Sequence, residues 1–213
     1  MSFLAFAKSH GLIVENIVDG RWIRCPTEDH PRKRNGSYKY MGDHGFVQNF
    51  ATMQDVAIWK SGAPLNRTDA ERFNRAASDT SNDIARLRTD AAKKAGWILK
   101  NTVMEQHAYL DSKGFPEAKG LVWRTQDDVN LLVIPMRVGD AIVGCQLIDV
   151  DGNKRFLKGQ QTAGASFIID NKGIDVWCEG FATAMSVRAT MAAMKERYRI
   201  HVCFSASNMV KRS

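Results

Sequence analysis

Gly20-Arg-Trp-Ile-Arg-Cys25 alternates polar and apolar residues at the period of a strand. Asn35-Gly36 is a turn dipeptide, and Ser37-Tyr-Lys-Tyr40 continues from it as a strand. Gly42-Asp-His-Gly45 turns the chain into Phe46-Val-Gln-Asn-Phe50, and Ile58-Trp-Lys60 closes a meander of short strands. Between 66 and 113 the pattern becomes helical. Thr68-Asp-Ala-Glu71 spells a capping box. Phe73, Ala77, Ile84, Leu87, Ala91, Ala95, Ile98 and Leu99 recur at the spacings of an apolar stripe. Thr80-Ser-Asn82 predicts a break, Gly96-Trp97 a bend and Gly114 the stop, which leaves a helical hairpin and one long helix both open.

From 120 onward the periodicity is that of strands. Leu131-Leu-Val-Ile-Pro-Met136 is a short apolar run, and Asp140 to Asp149 is a second strand. Asp151-Gly152 marks a hairpin turn into Lys154-Arg-Phe-Leu-Lys158, and Ser166-Phe-Ile-Ile169 is a fourth strand. Asp175-Val-Trp-Cys-Glu179-Gly180 reads as an apolar strand that runs into a carboxylate and a tight turn. A small-residue helix follows to about 197, then the strand Ile200-His-Val-Cys-Phe204. Strand, crossover helix and strand in that order imply a parallel pair. A carboxylate at the C-terminal end of such a strand stands where α/β folds place their chemistry. The competing reading of Glu179 is a solvated turn residue.

At 213 residues the chain can hold one large domain or two small ones. A hydrophobic content of 44% with 25% charged residues is that of a globular chain. No apolar run approaches the ~20 residues that span a bilayer, and Met1 to Lys8 is too short and amphipathic for a secretion signal. Cys25, Cys145, Cys178 and Cys203 form no Cys-x-x-Cys pair and read as reduced, buried thiols, which places the chain in the cytoplasm. The net charge of +7 permits nucleic-acid binding without establishing it.

Several segments follow one another in a recognisable order. They are Leu132-Val-Ile-Pro-Met-Arg137, the Gly144-Cys-Gln-Leu-Ile strand, Asp151-Gly-Asn-Lys-Arg-Phe-Leu-Lys-Gly159, Gly164, and Cys178-Glu-Gly-Phe-Ala-Thr-Ala184. Together they resemble the RNA-polymerase core of DNA primases, most closely the phage and plasmid type with a Toprim fold. Upstream, His107-Ala-Tyr-Leu-Asp-Ser-Lys-Gly114 resembles the His-x-Tyr-Leu-x-x-Lys-Gly segment before that core, and the region from Gly20 to Lys60 resembles the N-terminal module of the same proteins. The resemblance covers nearly the whole chain.

The resemblance implies an α/β protein in three parts: a small β-rich module over 1–65, a helical bridge over 66–114, and a primase core over 115–213 that mixes β structure with an incomplete Toprim-like fold. It implies RNA primer synthesis on single-stranded DNA in a phage or mobile element, inside a bacterial host cell, with ribonucleotides as substrates and a replicative helicase as a partner. Glu179 matches the Toprim glutamate that acts in nucleotidyl transfer or binds magnesium. The family's other ligands lie in an Asp-x-Asp motif on a later strand, before which this sequence stops. Asp149 and Asp151 have the spelling but flank a hairpin turn, so they read as turn residues. One glutamate does not hold two metal ions, so the chain taken alone is expected to lack primer synthesis, as a fragment or a short relative. The alternative is a non-catalytic relative that binds single strands or a replication protein.

Lys154, Arg155 and Lys158 match the basic segment beside the Toprim site, where closely spaced cations hold template or nucleotide phosphates. Arg32, Lys33 and Arg34, near Trp22, Tyr38, Tyr40 and Phe46, make a second candidate contact for single strands. In the bland reading the basic residues are solvated loops and the aromatics are core. Cys25, His30 and His44 lack the paired spacings of a structural zinc site, so no zinc is expected. His107 and His201 read as structural. There is no Gly-x-x-x-x-Gly-Lys-Ser/Thr loop, and Gly159 to Gly164 reads as a flexible turn.

Overall fold

The structure, a computed structural model, describes residues 1–53, 55–62 and 67–210, leaving aside the side chains at 67–74, 76–77 and 207. Thr68, Glu71, Phe73 and Ala77, where the capping box and the start of the apolar stripe were expected, have side chains outside that description. The protein is α/β: five helices and twelve strands in three sheets among the described residues. It divides into two compact units, Met1–Thr80 and Ser81–Ser213. No helix among the described residues is long and apolar enough to cross a membrane.

In the first unit α1 (Phe3–Ser9) precedes an antiparallel meander of β1 (Trp22–Cys25), β2 (Gly36–Tyr40), β3 (His44–Asn49) and β4 (Ala57–Lys60). The sheet buries one face on α1. Phe3 meets the Trp59 ring edge-on at 5.6 Å and lies against Tyr38 and Tyr40. The polar ends of these aromatics are satisfied: Tyr38 Oη donates to the Asn16 carbonyl at 2.7 Å, and Trp59 Nε1 to that of Met1 at 2.9 Å. Asn35-Gly36 is not the expected hairpin turn. Gly36 is the first residue of β2, paired opposite Cys25. A Cβ there would stand 2.8 Å from Cys25 Sγ, so the glycine answers a close approach of packed side chains.

The long helix α2 (Arg67–Lys100) runs unbroken through Thr80-Ser-Asn82 and Gly96. Serine, threonine and asparagine each cost only tenths of a kcal/mol in a helix, and an isolated glycine about 1 kcal/mol. Packing of Ala91, Ala95 and Ile98 outweighs that cost. After α2 the chain forms a strand that the sequence reading carried as helix, β5 (Thr102–Gln106), then α3 (Ala108–Ser112). Gly114, at φ +85°, ends that turn as expected.

Strands β5, β6 (Lys119–Arg124), β7 (Asn130–Val138), β8 (Ala141–Ile148) and β9 (Lys154–Phe156) form an antiparallel sheet in chain order. Alternation along β7 explains its unbroken apolar run. Leu131 and Val133 pack on the C-terminal half of α2, while Leu132 and Ile134 pack on the opposite core. That second core is filled by α3 and by a smaller sheet of β10 (Phe167–Asp170), β12 (Tyr198–Val202) and β11 (Ile174–Cys178), with α4 (Phe181–Ala193) laid on it. β11 and β12 are parallel and joined through α4, as expected; β10 runs antiparallel to β12. Arg137 and Ser166 exchange both backbone hydrogen bonds, 3.0 and 2.9 Å, and so link β7 to the segment that enters β10. The short α5 (Ala206–Val210) closes the described chain.

Candidate functional site

Glu179 stands at the C-terminal end of β11, between buried Cys178 and Gly180, the N-cap of α4. The residue is exposed, and its carbonyl accepts from Phe204 N–H at 2.8 Å, which fastens the turn to the end of β12. Phe204 makes that bond at φ +67°, a left-handed conformation that costs a bulky residue of order 1–3 kcal/mol. Its ring also meets that of Phe156 on β9, edge-on at 6.3 Å. Gly180 caps α4 without a side-chain hydrogen bond, so the N-cap residue itself leaves the amides of the first turn without an acceptor.

Lys154 is drawn to the same turn. Its Nζ lies 3.9 Å from where a Cβ on Gly180 would stand. Lys154 and Phe156 share one face of β9, opposite Ile148 and Gln146 of β8. Arg155 takes the other face by strand alternation, opposite Leu147. Lys158 is exposed in the turn after β9. Of the three cations in this segment, Lys154 is the one gathered with the Glu179 turn. Arg32, Lys33 and Arg34 are exposed in the loop between β1 and β2 of the first unit. Of the neighbouring aromatics, Tyr38 and Phe46 are core at 2% exposure each, while Trp22 is 39% exposed.

Asp149 is the hairpin-turn residue expected. Its carboxylate accepts from the side-chain amide of Asn153, from the backbone N–H of Asn153 at 2.8 Å and from that of Asp151 at 3.1 Å. These bonds, the Asn153 side chain first, hold its carboxyl below the usual range. The resemblance implies magnesium. Glu179 offers one carboxylate, and among the described residues no three His, Cys, Asp or Glu side chains gather to hold an ion. These residues do not by themselves make a two-metal centre, and no step is routed through one.

Three further residues build the site: His107, which the sequence reads as structural, and Tyr109 and Gln160, to which sequence reasoning assigned no role. His107 caps α3: its Nδ1 accepts from Tyr109 N–H at 3.2 Å and its Nε2 donates to the Asn130 carbonyl at 3.3 Å, partners that assign the tautomer. Both nitrogens serve the backbone, so the histidine is structural and sets Tyr109 two residues on. Tyr109 is buried against the turn at Gly152, where a Cβ would stand 3.3 Å from the ring. Gln160 Oε1 accepts from Cys145 N–H and Leu157 N–H, both at 3.1 Å, so the Gly159–Gly164 stretch is pinned to β8. The legible signal for Tyr109 and Lys113 was their i, i+4 spacing; Gln160 carried none. His201 is also partnered, by Asp175 at 2.7 Å and by stacking on Trp177.

No protein-family model matches the chain, and no solved structure matches it.

Proposed function

We propose that this protein is a DNA primase, or the N-terminal part of one, from a phage or mobile element, making RNA primers on single-stranded DNA by nucleotidyl transfer. The reading rests on the ordered motifs of the sequence. The observation that carries it is the meeting of an exposed carboxylate turn with an ammonium group: Lys154 Nζ beside Gly180, next in chain to Glu179. A carboxylate there would accept the proton of an attacking 3′-hydroxyl, and would be one of the several oxygen ligands that magnesium needs. Lys154 supplies a cation for the phosphates of nucleotide or template, and the unfilled amides of α4 favour negative charge at the same place. Lys158, exposed in the turn after β9, and Arg155, on the other face of β9 from Lys154, add positive charge elsewhere on the hairpin. Arg32, Lys33 and Arg34 give the first unit its own contact with a single strand, and a replicative helicase is the protein partner.

Two assays test this. Single-stranded oligonucleotides should bind at low salt, with affinity falling steeply as salt rises; no binding removes the nucleic-acid reading altogether. Primer synthesis with magnesium and ribonucleotides should be abolished by Glu179→Gln, and full activity in that variant overturns the assignment. Binding without synthesis is the result expected of the chain taken alone, whether as a fragment of a primase or as the non-catalytic relative that binds single strands or a replication protein.

A further inference from the structure

Two ammonium groups converge on one buried tyrosine. Lys113 Nζ, from the C-terminal end of α3, lies 5.6 Å from the Tyr109 ring centroid, and Lys154 Nζ, from β9, lies 5.9 Å from it. Tyr109 is 2% exposed, and its hydroxyl is buried with no hydrogen-bond partner among the described residues. Buried hydroxyls in folded proteins are almost always bonded, so an orphan one marks a place where an acceptor is missing. Both lysines are exposed residues, and neither forms an ion pair with a described residue. Lys154 also stands beside Gly180, where α4 begins without a side-chain cap. Two unneutralised cations, a partnerless O–H donor and free helix amides share one preference, for an oxyanion.

We propose that Tyr109, Lys113 and Lys154 form a phosphate-binding cradle beside the Glu179 turn. Lys113 and Lys154 donate to the phosphate oxygens, and the Tyr109 hydroxyl donates the bond it lacks in the free protein. Each ammonium group lies within cation–π range of the tyrosine ring before the ligand arrives. Gly152, at φ +86°, lets the β8–β9 turn press against the ring and keeps Lys154 in place. The cradle rests on the nucleic-acid reading above. Its phosphate belongs to a nucleoside triphosphate or to the backbone of a single strand.

The test uses the full chain, a fluorescein-labelled oligo-dT and ATP as separate probes, and the variants Lys113→Gln and Tyr109→Phe. Arg188→Gln, on α4 in a groove lined also by Phe115 and Met185, is the control. Lys113→Gln should weaken binding about tenfold, the loss of one charge-assisted bond. With oligo-dT it should also flatten the salt dependence by about 0.7 per lost contact. Tyr109→Phe should melt no lower than wild type, because an unsatisfied hydroxyl is removed, and should still bind several-fold more weakly. A merely structural tyrosine would not separate those two readouts. Weakening of ATP alone assigns the cradle to the nucleotide, and weakening of oligo-dT assigns it to the strand. Wild-type affinity for both probes in Lys113→Gln overturns the cradle whether or not Tyr109→Phe folds. If wild type binds neither probe at low salt, the nucleic-acid reading itself fails.

Discussion

Replacing Gln160 with alanine removes two hydrogen bonds that hold the cationic hairpin to its sheet. Oε1 accepts from Cys145 N–H and Leu157 N–H, each at 3.1 Å, and Nε2 lies 3.0 Å from Met136 Sδ. Cys145 is wholly buried and Leu157 is 9% exposed. Each abandoned amide costs about 1–3 kcal/mol, with the smaller figure for Leu157, which water can reach. The sum is about 3 kcal/mol, or a fall of about 6–12 °C in melting temperature for a chain of this size. Gln160→Glu keeps both acceptor bonds and should lose far less. Gly144 supplies an internal check, because a Cβ there would run into the Gln160 side chain. Gly144→Ala should therefore cost less in the Gln160→Ala background than in wild type, a coupling that a double-mutant cycle measures. Circular dichroism and calorimetric melts of the five proteins give all the numbers. A Gln160→Ala melt within about 2 °C of wild type, or equal costs of Gly144→Ala in both backgrounds, refutes the reasoning. Phosphate binding should weaken in Gln160→Ala as well, although no cation is lost, because the strand that carries Lys154 is no longer anchored.

Asn208 ties three segments together: its Nδ2 donates to the carbonyls of Ala165 at 2.7 Å, Cys203 at 2.9 Å and Thr162 at 3.3 Å, and its Oδ1 accepts from Gly164 N–H at 2.8 Å. Asn208→Ala should destabilise by about 3 kcal/mol, read from urea titrations. Cys145 supplies a pH effect: burial pushes its thiol up to about 12, with Lys94 pulling weakly the other way. A raised folded value means that this contribution is whole below the unfolded value of about 8.5 and is lost as pH rises towards 12. Wild type should therefore lose about 2 kcal/mol between about pH 8.5 and pH 10 that Cys145→Ala does not lose; equal pH slopes would contradict it.

Most strands were legible, because alternation and apolar runs report directly which faces are buried. The run Leu131 to Met136 and the sequence of β11, α4 and β12 belong here, as do the turns at Gly42, Gly114 and Gly152, where a positive φ calls for glycine. What escaped was set by distant partners. Asn35-Gly36 spells a turn, yet Gly36 answers to Cys25 and Leu12 across the sheet. Thr80-Ser-Asn82 spells a break, yet the helix continues because its later residues pack. The strand β5 follows α2 so closely that the apolar stripe masked it. In the candidate site Glu179 and Lys154 were legible from motif order. The separation of Arg155 from Lys154 follows from strand pairing, which settles the faces of β9. The orphan Tyr109 hydroxyl and the Gln160 anchor are tertiary facts with no local pattern.

The central claim is that phosphates are held where the Glu179 turn, Lys154 and the start of α4 meet. Amide chemical shifts of the labelled protein, followed as oligo-dT or ATP is added, test it most directly. The account predicts that Gly180, Phe181 and Ala182 shift most, together with Lys154 and Lys113, and that Lys154→Gln suppresses those shifts. Saturable binding that leaves the Gly180 and Phe181 amides unmoved would contradict it.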